Sequence, residues 1–259
     1  MINIKSAKEI EYMREAGRIT ALVLDAIEEA VKPGVTTKEL DKIAEKVLRE
    51  NGAKPSFKGQ PGFEGSKPFP ACICASINNQ VIHGIPDDTK LQEGDIISID
   101  TGAYKNGYHG DAARTFAVGN ISKEAQKLID VTKQSFFEGI KQAISGNRIS
   151  DISHAVQEYV EANNFSVVRE FVGHGIGSDL HEEPSVPNYG KAGRGPRLTK
   201  GMTIAVEPMV NEGTYDVDIL KNGWTVVTKD GKLSAHYEHT IAVTEDGVII
   251  LTEPDCGCL

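Results

Sequence analysis

Apolar residues recur at helical spacing over residues 6–31 (Ile10, Met13, Ile19, Leu22, Val23, Ala26 and Ile27), and Pro33 with Gly34 closes the run. A second helix is expected after Thr37 as its N-cap, carrying Leu40, Ile43, Ala44, Val47 and Leu48 as far as Asn51-Gly52. Residues 123–165 repeat the arrangement. A helix through Ala125, Leu128, Ile129 and Phe136 breaks at "SGN", and another carries Ile152, Ala155, Val156, Tyr159 and Val160 up to "NN". From Leu40 to Ile152 and onward to Val160, the apolar positions of this last helix stand 112 residues beyond those of the second. The strand-like runs "LQEGDIISID" (91–100) and "LTKGMTIAVE" (198–207) behave the same way, with Leu91 and Leu198, Gly94 and Gly201, and Asp100 and Glu207 each 107 apart. Such near-constant offsets over helix and strand predict a duplicated unit of two helices followed by strands. The Gly- and Pro-rich stretch "KGQPGFEGSKPFP" between helices and strands reads as an ordered loop.

Both strand-like runs end on an acid where alternation would place an aliphatic. After Asp100, "TGAYKNGYHGD" contains Asn106-Gly107, the strongest short hairpin signal, and a turn centred there sets Asp111 opposite Gly102. Asp100 and Asp111 then become diagonal neighbours on one face. Two such charges on an apolar sheet repel unless a cation lies between them. The second half offers a matching pair in Glu207 and Glu238, with "TFAV" after Asp111 mirrored by "TIAV" after Glu238. Histidines complete the set: His83 in "VIHGIP", His174 in "VGHGIG", and His181 seven residues further on. Four carboxylates are balanced by two divalent ions, so the charge favours a two-metal site, the arrangement of hydrolases whose ions sit about 3.5–4 Å apart. Oxygen donors with an imidazole suit Mn, Fe(II), Co or Zn without choosing among them. His109, His154, His236 and His239 match no metal position and are read as ordinary.

Composition changes this picture little. A chain of 259 residues with 39% hydrophobic content can bury its own core. A net charge of −9 argues against specific nucleic-acid binding and against an anionic membrane surface. No apolar run reaches the roughly 18 residues of a membrane span, and the charged start lacks a signal-peptide core, so a cytoplasmic location is expected. Cys72 and Cys74 lie in an apolar stretch and Cys256 and Cys258 in the tail, a set expected to stay reduced.

At "FVGHGIGSDLHEEPSVPNY" (171–189), supported by "INNQVIHGIPDD", "IDTGAYKNGYHGDAARTF" and "VEPM", the sequence resembles the type I methionine aminopeptidases over essentially its whole length. The resemblance implies an α+β pita-bread fold, its two halves (about 1–120 and 121–259) forming one catalytic domain over 1–259. In that fold a central curved antiparallel sheet is covered by helices. It implies metal ligands at Asp100, Asp111, His174, Glu207 and Glu238, with Asp111 and Glu238 bridging two divalent ions. It gives Glu207 a second role in proton transfer, places His83 and His181 beside the scissile amide, and lines a methionine pocket with Phe69, Cys74, Leu180 and Trp224. Family members often carry an aromatic at the place of Leu180 and Tyr at that of Phe69, so the pocket is altered here. The implied activity is removal of the initiator methionine before a small residue by a metal-bridging hydroxide, on nascent chains, by a monomer in transient contact with the ribosome.

Three other readings compete. A Xaa-Pro peptidase of the same fold is expected to carry a large extra N-terminal domain, for which helices starting at residue 6 leave no room. A partner-binding module of this fold loses metal ligands, and all five residue types are present. Phosphoester hydrolysis lacks an Arg cluster or a helix-start glycine loop near the motifs.

Overall fold

The computed structural model describes residues 1–62 and 66–254, and Cys256 and Cys258 lie outside the described residues. The first half runs α1 (Ala7–Ala30), α2 (Thr37–Glu50), β1 (Lys54–Pro55), β2 (Ile73–Ile77), β3 (Gln80–Ile82), β4 (Ile96–Lys105) and β5 (Tyr108–Ala117). The second runs α3 (Lys123–Ile140), α4 (Ile149–Ala162), β6 (Ser166–Val167), β7 (Gly173–Gly175), β8 (Glu182–Val186), β9 (Thr203–Val206) and β10 (Met209–Asn211). It continues through β11 (Val217–Ile219), β12 (Val226–Thr228), β13 (Ser234–His236), β14 (Glu238–Val243) and β15 (Val248–Ile250). The expected repeat is visible: α4 begins and ends 112 residues after α2 (37 to 149, 50 to 162), and β9 starts 107 residues after β4 (96 to 203).

Capping starts the helices where the sequence places them. Ser6 with Glu9, and Thr36 with Glu39, form reciprocal capping boxes on α1 and α2, each cap worth about 1 kcal/mol, and Ser122 caps α3. The cap of α2 is therefore Thr36 and not Thr37. The Thr37 hydroxyl is engaged elsewhere, donating to Asp87 O at 3.0 Å and accepting from Asp87 N at 2.8 Å. No helix among the described residues is long and apolar enough to cross a membrane.

The main sheet is antiparallel in the order β1-β4-β5-β14-β9-β7-β8, with β2 on β4 and β15 on β14, and the halves meet where β5 pairs with β14. Each half covers its own strands with its own helices. Leu24, Ile27, Leu40 and Leu48 pack with Ile97, Ile99, Ala103 and Phe116, while Leu128, Phe136, Ile152, Val156 and Val160 pack with Ile204, Val206 and Ile241. Because strand side chains alternate, the same register that sends Ile97, Ile99 and Ala103 toward the helices sends Ser98, Asp100 and Gly102 to the opposite face. That face is concave and carries the candidate site. This helix-covered curved sheet is the pita-bread arrangement the resemblance implied.

Candidate metal centre

The first two acids are positioned by the β4–β5 hairpin. Asn106 and Gly107 take positive φ angles of 53° and 88°, and the register runs unbroken through Gly102 opposite Asp111 and Asp100 opposite Ala113, as the turn predicts. The Asp111 backbone is locked to the other half: its N–H donates to Thr240 Oγ1 at 2.9 Å, and Thr240 Oγ1 donates to Asp111 O at 2.9 Å. Glu238, at the start of β14, pairs with Ala113, so it stands beside both hairpin acids.

His174 is held by β7, which is squeezed between β8 and β9. A Cβ at Gly173 would fall 2.4 Å from Ala205 O, and one at Gly175 would fall 2.2 Å from Glu183 O, so only glycine fits on either side of the histidine. His174 Nδ1 lies 2.8 Å from Gly175 O, to which it can only donate, and this leaves Nε2 as the free lone pair. That nitrogen is 3.6 Å from Glu207 Oε1 and 3.9 Å from Asp111 Oδ2. Burial, then the His181 ring, pushes His174 down to about 4, so the imidazole is neutral at pH 7 and available as a ligand.

The carboxylates show what the site lacks in protein partners. Asp111 and Glu238 are 4% and 2% exposed, and Asp100 Oδ1, Asp111 Oδ1 and Glu238 Oε1 are buried with no hydrogen-bond partner among the described residues. Burial pushes Asp100 up to about 7, partly offset by the neighbouring Asp111 carboxyl. Burial and the neighbouring carboxylates push Asp111, Glu207 and Glu238 well above the ordinary range. Orphaned buried oxygens whose charged forms repel one another are the donor set a divalent cation satisfies. Asp111, His174 and Glu238 each offer a ligand atom within 4.8 Å of the others. The residues therefore fit a divalent metal ion.

The structure brings every expected site residue to one cavity of about 500 Å³: the five candidate ligands, His83, His181, and Phe69, Cys74, Leu180 and Trp224. His181 stacks edge-on to His174 at 4.5 Å, and burial lowers its pKa. His83 adopts φ 60°, a left-handed conformation costing of order 1–3 kcal/mol, and is flanked edge-on by Phe171 and Trp224 at 6.0 and 6.1 Å. Burial, then His181, takes it down to about 4. Phe69 and Trp224 meet edge to face at 5.0 Å, and the Trp224 indole N–H donates to Lys67 O at 2.9 Å, fixing the apolar wall. Burial, then Asp100, keeps the Cys74 thiol protonated, so it contributes a small polarizable surface and no nucleophile.

Two features escaped sequence reasoning. Lys5 reaches across 177 residues to form a buried ion pair with Glu182, next to His181, while its backbone N–H donates to Gly201 O at 2.8 Å. Nothing in the spacing of the two residues signals this. His236, set aside with the ordinary histidines, lies with Nε2 4.0 Å from Glu207 Oε2. It ends β13 two residues before Glu238 opens β14, and the break at Tyr237 between the two strands is what strand alternation in the sequence did not reveal. The other three are ordinary: His109 bonds Ser56, His154 bonds Gly190 O, and His239 sits between Tyr237 and Thr252.

A duplicated helix-covered sheet whose buried acids and one neutral imidazole converge at an open cavity defines a class, the metal-dependent hydrolases of pita-bread fold. The chain belongs to metallopeptidase family M24, whose model matches residues 11–245. It is 58% identical over 252 residues to the methionine aminopeptidase of Clostridium perfringens, covering 97% of this chain and 99% of that protein. It is 55% identical over 252 residues to methionine aminopeptidase 1 of Bacillus subtilis, with the same coverage of each. The crystal structure of the methionine aminopeptidase of Thermotoga maritima superposes with a TM-score of 0.93 at 43% identity, covering 98% of this chain and 100% of that one.

Proposed function

We propose that the chain is a methionyl aminopeptidase, removing the N-terminal methionine of peptides and nascent proteins when the next residue is small. The observation that carries this reading is the junction, in one cavity, of the carboxylate and imidazole cluster with an apolar wall of Phe69, Cys74, Leu180 and Trp224. A thiol and aromatic rings suit a thioether side chain. The relatives at 58% and 55% identity over nearly the full length support the same substrate.

In this reading Asp100, Asp111, His174, Glu207 and Glu238 would hold two divalent ions, of Co, Mn, Fe(II) or Zn. Bound divalent ions supply Lewis acidity at the scissile carbonyl and acidify water at neutral pH. The protein's own groups do the rest. Glu207, its proton affinity raised by burial, takes and returns a proton at its carboxylate. His83 and His181, both shifted toward the neutral form, meet the scissile amide, one accepting from its N–H through a ring lone pair and the other donating a ring N–H to its oxygen as charge develops there. The apolar wall seats the methionine side chain and excludes water. The catalytic unit is the single domain 1–259 with halves of about 1–120 and 121–259, acting as a cytoplasmic monomer in transient contact with the ribosome.

The test sets elemental metal analysis of the anaerobically prepared protein beside assays with Mn(II) or Co(II). Hydrolysis of Met-Ala-Ser with negligible cleavage of a Xaa-Pro dipeptide is expected, with two ions per chain. The opposite preference would replace the reading with a Xaa-Pro peptidase, and a chain inactive across metals would be a binding module.

A further inference from the structure

Glu207 stands where the main sheet breaks. The strand before it, β9, stops at Val206, and Pro208 after it has no N–H to continue the ladder, so the chain leaves for the small sheet β13-β10-β6. Of the backbone around the acid, Glu207 O accepts from Asn188 Nδ2 at 3.0 Å, which fixes the main chain and leaves the carboxylate to be oriented by side chains. Those side chains are two imidazoles. His174 Nε2 faces Oε1 at 3.6 Å, and His236 Nε2 faces Oε2 at 4.0 Å.

His236 is placed with little freedom. It pairs with Met209 across β10 and β13, two residues beyond Glu207. Its backbone is gripped from both sides by one hydroxyl: His236 N–H donates to Thr115 Oγ1 at 2.9 Å, and Thr115 Oγ1 donates to His236 O at 2.8 Å. The Ser98 hydroxyl lies 2.8 Å from Thr115 Oγ1 and, with the Thr115 hydrogen already given to His236 O, donates to it. The residue is 1% exposed, and neither Nδ1 nor Nε2 has a hydrogen-bond partner among the described residues. Its Nε2 is the ring nitrogen that faces the Glu207 carboxylate. A buried polar ring left wholly unpaired is costly, and the carboxylate it faces is about 1 Å beyond hydrogen-bond distance.

We propose that His236 is a positioning residue for the metal centre: in the metal-loaded protein it donates from Nε2 to Glu207 Oε2, turning Oε1 toward the ions and toward His174. The inference rests on the metal centre proposed above. Outer partners of this kind typically change metal affinity or activity by about 10–100-fold when removed. Asp100, the counterpart of Glu207 in the first half, sits inside an unbroken ladder whose register already aims it.

The experiment titrates Mn(II) into the metal-stripped full chain by calorimetry and measures kcat and KM for Met-Ala-Ser. For His236→Leu we expect Mn(II) affinity to fall about 10–100-fold and kcat to fall with it at nearly constant KM. The melting temperature of the metal-free protein should hold or rise, since a buried unpaired ring is lost. His236→Gln, which keeps an N–H within reach, should recover both readouts to within a few-fold. Wild-type-like affinity and turnover in the Leu variant would overturn the proposal, as would equal impairment of both variants, which is the mark of packing. Should the Leu variant not fold, nitrogen NMR of the wild-type chain loaded with diamagnetic Zn(II) decides: the Nε2–H tautomer of His236 is expected, and the Nδ1–H tautomer overturns it. A wild-type chain that binds neither Mn(II) nor Zn(II) would instead refute the metal centre itself.

Discussion

The two halves of the molecule supply two acids each but hold them differently. In the first, β4 and β5 pair over ten residues apiece without a break, and one tight turn sets the position of both Asp100 and Asp111. In the second, the equivalent path is cut in two places: at Pro208, which stands 107 residues after Thr101, and at Tyr237, between β13 and β14. Thr101 is paired on both sides, with Ile73 and Ala112, inside a ladder that Pro208, lacking an N–H, cannot continue. The second half therefore presents its acids at strand ends, uses the longer glutamate in both places, and recruits histidines around them. Duplication conserves where an acid falls along the chain, while a single missing N–H decides whether backbone or side chains aim it.

The largest effect tests whether the halves are chemically equal. Asp111→Asn and Glu238→Gln each remove one buried charge at nearly constant volume, one from each copy. Both should lower kcat/KM for Met-Ala-Ser by on the order of 10³-fold or more. Neither should lower the melting temperature of the metal-free protein, because each relieves repulsion among buried carboxylates. Steady-state kinetics with a metal count per chain checks this. Retained turnover in one variant alone would show that the copies have diverged in role.

A second, intermediate effect pools the acids of both halves. For the metal-free chain the sign follows from proton counts. Asp100 titrates near 3.8 when unfolded and about 7 when folded, and Asp111, Glu207 and Glu238 shift the same way, so the native state holds protons the unfolded chain has released. That makes stability fall as pH rises. The buried His174, His236 and His239, pushed from 6.5 to about 4, 3 and 3, act oppositely, but only below about 6.5, where the unfolded chain takes up protons the native rings refuse. Above 6.5 the histidine contribution fades within about one pH unit and the carboxylate contribution dominates. The melting temperature of the metal-free chain should therefore decline from pH 6.5 to 8, and saturating Mn(II), which displaces the protons, should abolish the decline. A flat metal-free profile would mean the four acids do not share one site.

What could be read from the sequence follows the same division. The helix pairs, the offsets of 112 and 107, and the hairpin register were all legible, because amphipathic period and turn chemistry are local. The convergence of the four acids was legible because the repeat supplied the long-range pairing that local rules do not, and His174 joined them as a candidate ligand through the family resemblance. The rupture at Pro208 was written in "VEPM" yet hidden by the analogy with the first half, and His236 was lost with it. The Lys5–Glu182 pair was illegible for another reason: two charged residues 177 positions apart carry no periodicity. The cap of α2 was misplaced by one residue because Thr36 and Thr37 are chemically alike, and only the loop at Asp87 distinguishes them.

The smallest effect asks how much of the first half's precision resides in its turn. Gly107 in the β4–β5 hairpin has φ 88°, and Gly231 in the turn between β12 and β13 has φ 75°, and at neither would an added Cβ meet an atom within 4 Å. The cost of alanine is then the left-handed backbone alone, about 1–2 kcal/mol at each site. Gly107→Ala and Gly231→Ala should thus lower stability by similar amounts in urea denaturation, with unchanged slopes. Their effect on metal affinity is the sharper reading. Ten paired residues on each strand hold the register of Asp100 and Asp111 once the hairpin has formed, so Gly107→Ala should leave Mn(II) affinity within about twofold of wild type. A large loss of affinity for Gly107→Ala, absent from Gly231→Ala, would mean that the turn and not the ladder aims the two acids, and the contrast drawn between the halves would have to be placed there.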